Sequence, residues 1–91
     1  MLIAMVGKMK PEKVQHDDIS EYRLNGKLHR EDGPAVEYVD GSKEWWFNGK
    51  LHREDGPAVE YVDGSKEWWF NGKQFTKWEF EMLMFVCEMS K

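Results

Sequence analysis

The tetrapeptide His-Arg-Glu-Asp occurs at residues 29–32 and again at 52–55. Imidazole and carboxylate groups are the side chains that most often bind metal ions and transfer protons. If the two copies lie in neighbouring hairpins of one sheet, they are about 9 to 10 Å apart, or two strand spacings. Ligands of one metal ion must lie about 2 Å from it. We therefore do not expect His29 and His52 to share a metal, and we expect no cofactor.

The other reactive groups form no catalytic pattern. Cys87 is the only cysteine and lies in an apolar segment without a nearby histidine, and Ser42 and Ser65 fall in predicted hairpin turns. The carboxylates recur with the repeat and mark no single pocket. We expect that the protein is not an enzyme. We expect a structural role for the loops, in which Arg30 and Arg53 pair with acids of their own or the adjacent repeat. Each exposed pair contributes about 0 to 1 kcal/mol to stability.

Both tetrapeptides belong to a longer repeat. The 23 residues NGKLHREDGPAVEYVDGSKEWWF occupy positions 25–47 and return unchanged at 48–70. Perfect self-similarity at this period predicts stacked units that make a core only together. A shift back by one period aligns Tyr22 with Trp45, which indicates a degenerate first copy. We divide the single domain into a degenerate N-terminal repeat, two full repeats, and a turn with a capping helix: 1–24, 25–47, 48–70 and 71–91.

Each repeat is predicted to form a β-hairpin. Residues 34–39 alternate in polarity, Asp40-Gly41 is a turn pair, and an aromatic run at 43–47 ends at an Asn-Gly turn. A two-residue loop would place Glu37 opposite Glu44. A three-residue loop with a glycine bulge at Gly41 would place Glu37 opposite Lys43, and both registers stay open. Gly33, in the loop before the hairpin, should allow a positive φ or a tight position.

The charge balance indicates the kind of partner. The formal net charge is −4, and it arises in the two repeats, because each block has three Lys or Arg against five Asp or Glu while the flanking segments cancel. Such a surface argues against nucleic acid and anionic membranes, since phosphate binding needs clustered Lys and Arg. A protein partner with a basic surface fits better. The lone Cys87 favours a reducing compartment, and Met1 to Val6 is too short for a membrane span, so we expect a cytoplasmic protein.

Each repeat carries two adjacent tryptophans on its second strand. Successive strand residues point to opposite faces, so Trp45 and Trp46 cannot both enter one core, and the same holds for Trp68 and Trp69. Either both faces are covered by this chain or a second copy, or an aromatic platform is exposed to a partner. The candidate binding residues are these tryptophans and the neighbouring glutamates, with the His-Arg-Glu-Asp loops as the next candidate: Trp45, Trp46, Trp68, Trp69, Glu37, Glu44, Glu60 and Glu67.

The repeat resembles the MORN family. Asp40-Gly41 precedes a tryptophan strand, Asn48-Gly49-Lys50 and then His52, and MORN units have an aromatic strand, NGK and HG in this order. The stretch NGKLHREDGPA departs from the usual HGxG and is similar to a variant in small bacterial and bacteriophage proteins. The resemblance covers about residues 11–73. It implies a meander of antiparallel hairpins in a single-layer sheet, and contact with other proteins.

We therefore expect a mainly β fold with stacked 23-residue hairpin repeats and a C-terminal α-helix. The expected function is non-enzymatic protein binding by a small bacteriophage or mobile-element protein that inhibits a host defence protein by occlusion. The alternatives are a phospholipid or membrane-surface module in the manner of the wider MORN family, an antitoxin- or immunity-like protein, and a structural subunit.

The chain changes character after Lys73. Thr76 and Glu79 form a capping box, which predicts a helix over about residues 77–90. At 100° per residue the helix has two apolar arcs. One arc should cover the end of the sheet: Trp78, Met82, Phe85, Val86 and Met89. The opposite arc should form the interface of a homodimer, with Met1 to Val6 as the intrachain alternative: Phe80, Leu83, Met84 and Cys87.

Overall fold

The computed structural model describes residues 10–89. This range contains short β-strands followed by one α-helix, α1 (Lys77–Met89). The strands are β1 (Glu12–Gln15), β2 (Ile19–Leu24), β3 (Lys27–Leu28), β4 (Val36–Tyr38), β5 (Lys43–Glu44), β6 (Trp46–Phe47), β7 (Lys50–Leu51), β8 (Val59–Glu60), β9 (Lys66–Phe70) and β10 (Lys73–Phe75).

The strands form an antiparallel meander. The main sheet has the order β1-β2-β4-β5-β8-β9-β10, β3 pairs with β2, and β6 pairs with β7 in a separate hairpin. Each neighbouring pair is antiparallel. Short turns join β1 to β2, β4 to β5, β8 to β9 and β9 to β10, whereas β3 comes between β2 and β4 in the chain, and β6 and β7 come between β5 and β8. The predicted fold class, a mainly β hairpin meander with a C-terminal helix, is confirmed.

The hairpin within each repeat has the three-residue loop. Tyr38 N–H donates to the Ser42 carbonyl at 2.9 Å, and Gly41 has a φ of +101°. Glu37 consequently faces Lys43, as the glycine-bulge register predicts. The Asn48-Gly49 turn between repeats has a φ of 51° at Asn48 and 79° at Gly49, both in the left-handed region that this type of tight turn requires.

Residues before the first full repeat occupy equivalent places in the sheet. Tyr22 N–H donates to the Ala35 carbonyl at 2.8 Å, and Trp45 N–H donates to the Ala58 carbonyl at 2.7 Å. His29 and His52 then donate their backbone N–H groups to the carbonyls of Tyr22 and Trp45, each at 3.0 Å. Tyr22 therefore stands one repeat before Trp45 in space as well as in sequence.

The sheet has a thin core. The molecule is 17 Å deep along its shortest axis, and its buried apolar side chains are small except at the helix. Small residues are needed where neighbouring repeats approach closely, and Ala35 and Ala58 are both fully buried. The buried apolar residues among those that the structure describes are Ala35, Val36, Ala58, Val59 and Phe80.

The helix begins with the predicted capping box. Thr76 N–H donates to Glu79 Oε1 at 3.0 Å, and Glu79 N–H donates to Thr76 Oγ1 at 3.1 Å. These bonds satisfy backbone donors that have no partner within the first turn of a helix. The helix ends at Met89 within the described residues, close to the predicted end.

The prediction of which helix face covers the sheet was wrong. Helix α1 packs against β9 and β10, and Phe80 is 4% exposed, whereas Trp78 is 69% exposed and Phe85 is 60% exposed. The arc assigned to a dimer interface therefore faces the protein itself: Phe80 is buried, and Leu83, Met84 and Cys87 are half-buried. Helical periodicity identifies the two arcs, but it does not show which one packs against the sheet.

Homodimerisation itself stays a prediction. Its intrachain alternative involves Met1 to Val6, which lie outside the described residues. In the described part of the chain, no helix is long and apolar enough to cross a membrane.

Candidate functional site

The two histidines connect consecutive repeats. His29 Nδ1 accepts a hydrogen bond from Asn48 N–H at 3.0 Å, and His52 Nδ1 accepts one from Asn71 N–H at 2.9 Å. Since Nδ1 accepts, the hydrogen of the neutral ring is on Nε2, which lies 3.5 Å from Glu31 in the first case. Each histidine thus attaches the loop of one repeat to the Asn-Gly turn that begins the next.

The same histidines contribute to a ladder of rings. The ring centroids of His29 and Phe47 are 4.4 Å apart, those of Phe47 and His52 are 5.9 Å apart, and those of His52 and Phe70 are 4.6 Å apart. Phe47 therefore lies between the two imidazoles. Its ring separates the two groups that a shared metal would need, and the described residues contain no cluster of three or more metal-binding side chains.

The two arginines stack on the preceding repeat. The Arg30 guanidinium lies 3.9 Å from the ring centre of Tyr22, and that of Arg53 lies 3.8 Å from the ring centre of Trp45. Such a cation–π contact contributes about 0.5 to 1 kcal/mol at an exposed site and more when desolvated. Sequence analysis did not predict this stacking.

The arginines also pair with acids, as predicted. Arg30 Nε donates to Asp32 at 3.0 Å, and Arg53 Nε donates to Asp55 at 2.9 Å. Arg53 further donates to Glu60 at 3.1 Å. These ion pairs lie within one repeat, so among the side chains of these loops the cation–π contacts and the histidines are the ones that contact a neighbouring repeat.

Gly33 and Gly56 leave space for the guanidinium groups. A Cβ on Gly33 would lie 3.2 Å from Cζ of Arg30, and one on Gly56 would lie 3.1 Å from Cζ of Arg53. Both distances are shorter than ordinary van der Waals contacts. Of the two roles predicted for Gly33, the tight position is therefore correct, and its φ is not among the positive values.

An open groove of about 850 Å³ lies between the two His-Arg-Glu-Asp loops. Its aromatic lining is Trp45, Phe47, His52 and Phe70. Acidic side chains form its rim, with Glu31 75% exposed and Glu54 68% exposed. The remaining lining residues are Arg30, Asp32, Gly33, Arg53, Asp55 and Asn71. We call this region the loop groove.

The predicted binding residues divide between the two faces of the sheet. Directly paired residues share a face, and the pairs Val36 with Glu44 and Val59 with Glu67 place the two glutamates together. By alternation, one face carries Glu44, Trp46, Glu67 and Trp69. The other face, which includes the loop groove, carries Glu37, Trp45, Glu60 and Trp68.

The first of these faces carries a hydrogen-bonded set in each repeat. Glu44 accepts hydrogen bonds from Tyr38 Oη at 3.0 Å and from Trp46 Nε1 at 2.8 Å. Desolvation, and then the charge and hydrogen bond of Glu44, raise the pKa of Tyr38 to about 12. Glu67 accepts in the same way from Tyr61 and Trp69. These glutamates and indole N–H groups are thus already paired inside the protein, which leaves them less able to bind a partner.

The loop groove has the better geometry for a binding site. It is concave, and its glutamates reach into solvent beside an aromatic floor. Among its lining residues, Phe47, Phe70 and Asn71 were not predicted as site residues. Phe47 and Phe70 end the second strand of each repeat. Because each phenylalanine lies next to a turn, the sequence did not show that the histidine 18 residues earlier packs against it.

Comparison of the chain with protein-family models, with curated proteins and with solved structures finds no match.

Proposed function

We propose that this protein is a non-enzymatic module that binds another protein in the loop groove. The supporting observation is the juxtaposition of an aromatic floor and an exposed acidic rim in one concave surface. Aromatic side chains supply apolar contact area at protein interfaces, and a charged rim steers association and selects the partner.

The reactive side chains of the loops support binding rather than catalysis. The imidazoles use Nδ1 to hold backbone turns, and the guanidiniums are engaged by Asp32 and Asp55 and by stacking. Glu31 and Glu54 are the exposed acids next to the ring ladder. The partner should therefore have a basic surface, and anionic vesicles should not bind because the rim would repel them.

The resemblance to MORN-like repeats of small bacterial and bacteriophage proteins supports a narrower proposal. The partner is a host protein, and binding inhibits it by occluding its surface. A defence protein is the target class that we propose, since a binding module can inhibit such a protein by occupying a site. An antitoxin-like role would use the same groove and differ only in the identity of the partner.

Photocrosslinking tests the proposed site. A benzoylphenylalanine replaces Phe47, which is 38% exposed in the groove, and in a matched control it replaces Val62, which is 63% exposed in a hairpin loop. In a bacterial lysate, the groove position should give protein adducts that are lost at high salt and when Glu31 and Glu54 are changed to Lys. Adducts that form equally from both positions, or that survive charge reversal, would contradict this function.

A further inference from the structure

The loop groove presents the same chemistry twice at a regular distance. Glu31 and Phe47 both lie against the ring of His29, and Glu54 and Phe70 both lie against the ring of His52, because the two blocks are identical. Equivalent positions are two strand spacings apart in the main sheet, since one strand, β5, lies between β4 and β8. Two strand spacings amount to about 9.5 Å. A ligand that uses both copies must therefore repeat with this period.

The groove cannot bind a peptide by adding it as a β-strand at these loops. The backbone N–H groups of Arg30 and Arg53 already donate to the carbonyls of Trp46 and Trp69, both at 3.1 Å. His52 N–H is also paired, with the Trp45 carbonyl. Strand addition needs a row of free backbone donors and acceptors. A peptide in the groove must therefore be recognised through its side chains and its shape.

A polyproline-II segment has the required period. It advances about 3.1 Å per residue with three residues per turn, so that every third side chain points in the same direction about 9.3 Å further on. In an extended strand, side chains on one side repeat at about 6.7 Å. An α-helix returns to the same side after seven residues, about 10.5 Å along its axis. Aromatic-lined grooves are also a common way to bind polyproline-II segments.

The charge of the rim determines which side chains the bound segment should carry. The arginine charges are compensated by Asp32 and Asp55 within ion pairs of about 3 Å, and both guanidiniums lie mostly buried over rings. Glu31 and Glu54 remain as outward charges with no arginine or lysine partner among the described ion pairs. A cationic side chain at each of these two positions complements the groove.

We infer that the loop groove binds a polyproline-II segment of a partner protein with Lys or Arg at every third residue. This inference rests on the proposed function, because it names the occupant of the same site. Each cation pairs with one of the two rim glutamates, and the intervening residues, such as prolines, lie against the ring ladder. The two identical repeats then select a partner whose positive charges have this spacing.

Fluorescence anisotropy with synthetic peptides tests the spacing. The probe contains repeated Pro-Pro-Lys triplets, and its control has the same composition with all lysines at one end. A second control is an alanine-rich helical peptide with lysines seven residues apart. The triplet peptide should bind about tenfold tighter than either control, since two exposed ion pairs in register account for about 1.4 kcal/mol. Equal binding of the grouped peptide, or tighter binding of the helical one, would overturn the inference.

Variants of the full chain locate the binding. Glu31→Gln and Glu54→Gln should each weaken the triplet peptide severalfold and reduce its salt dependence, because they occupy equivalent positions. Glu12→Gln removes the same charge from an exposed position on β1 and should change nothing. An equal loss in Glu12→Gln would mean attraction by net charge alone and would overturn the inference. Urea unfolding of each variant shows that the protein remains folded.

The two proposals fail in different ways. If none of the three peptides binds, but crosslinks from position 47 still depend on the rim glutamates, the polyproline-II inference is wrong and the proposed function stands. If the triplet peptide binds with the expected register, but no rim-dependent protein adduct forms, the inference holds and the proposed function is wrong for the proteins of that lysate.

Discussion

The two repeats have identical sequences but different surroundings. In the first, the His29 side chain is 5% exposed, and in the second, the equivalent His52 side chain is 14% exposed. Ser42 Oγ accepts Val62 N–H at 3.0 Å and is buried, whereas the equivalent Ser65 is exposed. Since the sequences are the same, position in the stack alone produces these differences.

The comparison shows that a repeat obtains much of its environment from its neighbours. The first repeat has a full repeat after it, and Phe47 consequently lies between two histidine rings. One period after His52 and Arg53, the chain has Phe75 and Thr76, and Thr76 caps the helix that begins at Lys77. Phe75 pairs directly with Trp68 across the last two strands. The second repeat is therefore completed by a cap instead of another arginine and histidine.

Among the changes that test this comparison, deletion of the second repeat should have the largest effect on unfolding. Removing residues 48–70 joins Phe47 to Asn71 and preserves both junctions, because the repeats are identical. The protein should fold with the cap on the remaining repeat and lose one interface between repeats. Urea unfolding should remain cooperative, with the denaturant dependence reduced by roughly a quarter, in proportion to the lost surface.

Deletion of the first repeat is the same experiment. Removing residues 25–47 yields the same amino-acid sequence as removing 48–70, so one shortened protein represents the loss of either repeat. The full chain is its control. A shortened protein that loses cooperative unfolding, while the full chain unfolds in one transition, would contradict modular stacking.

Sequence reasoning predicted the elements that depend on local chemistry. The capping box of Thr76 and Glu79 was predicted outright, whereas the three-residue hairpin loop with its glycine was one of two registers that the sequence left open. Each of these elements involves neighbours in the chain. Their stabilising contacts can be identified from residue types at fixed spacing. The strand patterns and the 23-residue period predicted stacked hairpins, and the family resemblance implied their arrangement as a meander.

The loop groove could not be predicted in the same way. Its contacts join residues 18 or 19 positions apart, such as His29 with Phe47 and with Asn48. The stack geometry determines these contacts, and the sequence shows only that both residues recur with the same period. The helix orientation had the same difficulty, because both arcs are apolar and periodicity alone does not select between them. The sequence supplied the candidate groups, and the long-range packing selected the groove.

Replacement of the two histidines tests how much the neighbouring repeat contributes to each histidine contact. His29→Ala should lower the free energy of unfolding by about 2 to 3 kcal/mol, because a buried ring and the acceptor for Asn48 N–H are lost together. His52→Ala should cost about 1 kcal/mol less, since this ring is more exposed and water can replace part of its hydrogen bonding. Urea unfolding measures both variants. Equal losses would show that the neighbouring repeat contributes nothing to the histidine contact.

Replacement of the arginines by lysine should have a smaller effect in the opposite order. Lysine keeps the charge but loses the planar stacking and the fixed donors. Arg30→Lys should cost about 1 kcal/mol, and Arg53→Lys about 1 to 2 kcal/mol, because Arg53 stacks on Trp45 and also binds Glu60. Thermal unfolding gives the order of the two variants. A larger loss at Arg30 would contradict the contribution of the extra ion pair.

The smallest expected difference concerns the tyrosines of the opposite face. The pKa of Tyr38 is raised to about 12, by desolvation and then by Glu44, and the pKa of Tyr61 is raised mainly by its hydrogen bond to Glu67. A raised pKa in the folded protein means that folding favours the neutral phenol. The contribution of Tyr38 to stability is therefore complete below pH 10 and is lost as the pH rises toward 12.

Near-ultraviolet titration of tyrosinate in Tyr22→Phe backgrounds, with either Tyr38 or Tyr61 retained, separates the two groups. Glu44→Gln should lower the pKa of Tyr38, because it removes a negative charge and a carboxylate acceptor. That pKa should nevertheless remain above its ordinary value of 10.0, since desolvation is the first cause of the shift and survives the substitution. Glu67→Gln should remove most of the shift of Tyr61, for which the hydrogen bond to Glu67 is the first cause. If both substitutions leave equal residual shifts, burial does not distinguish the tyrosines of the two repeats.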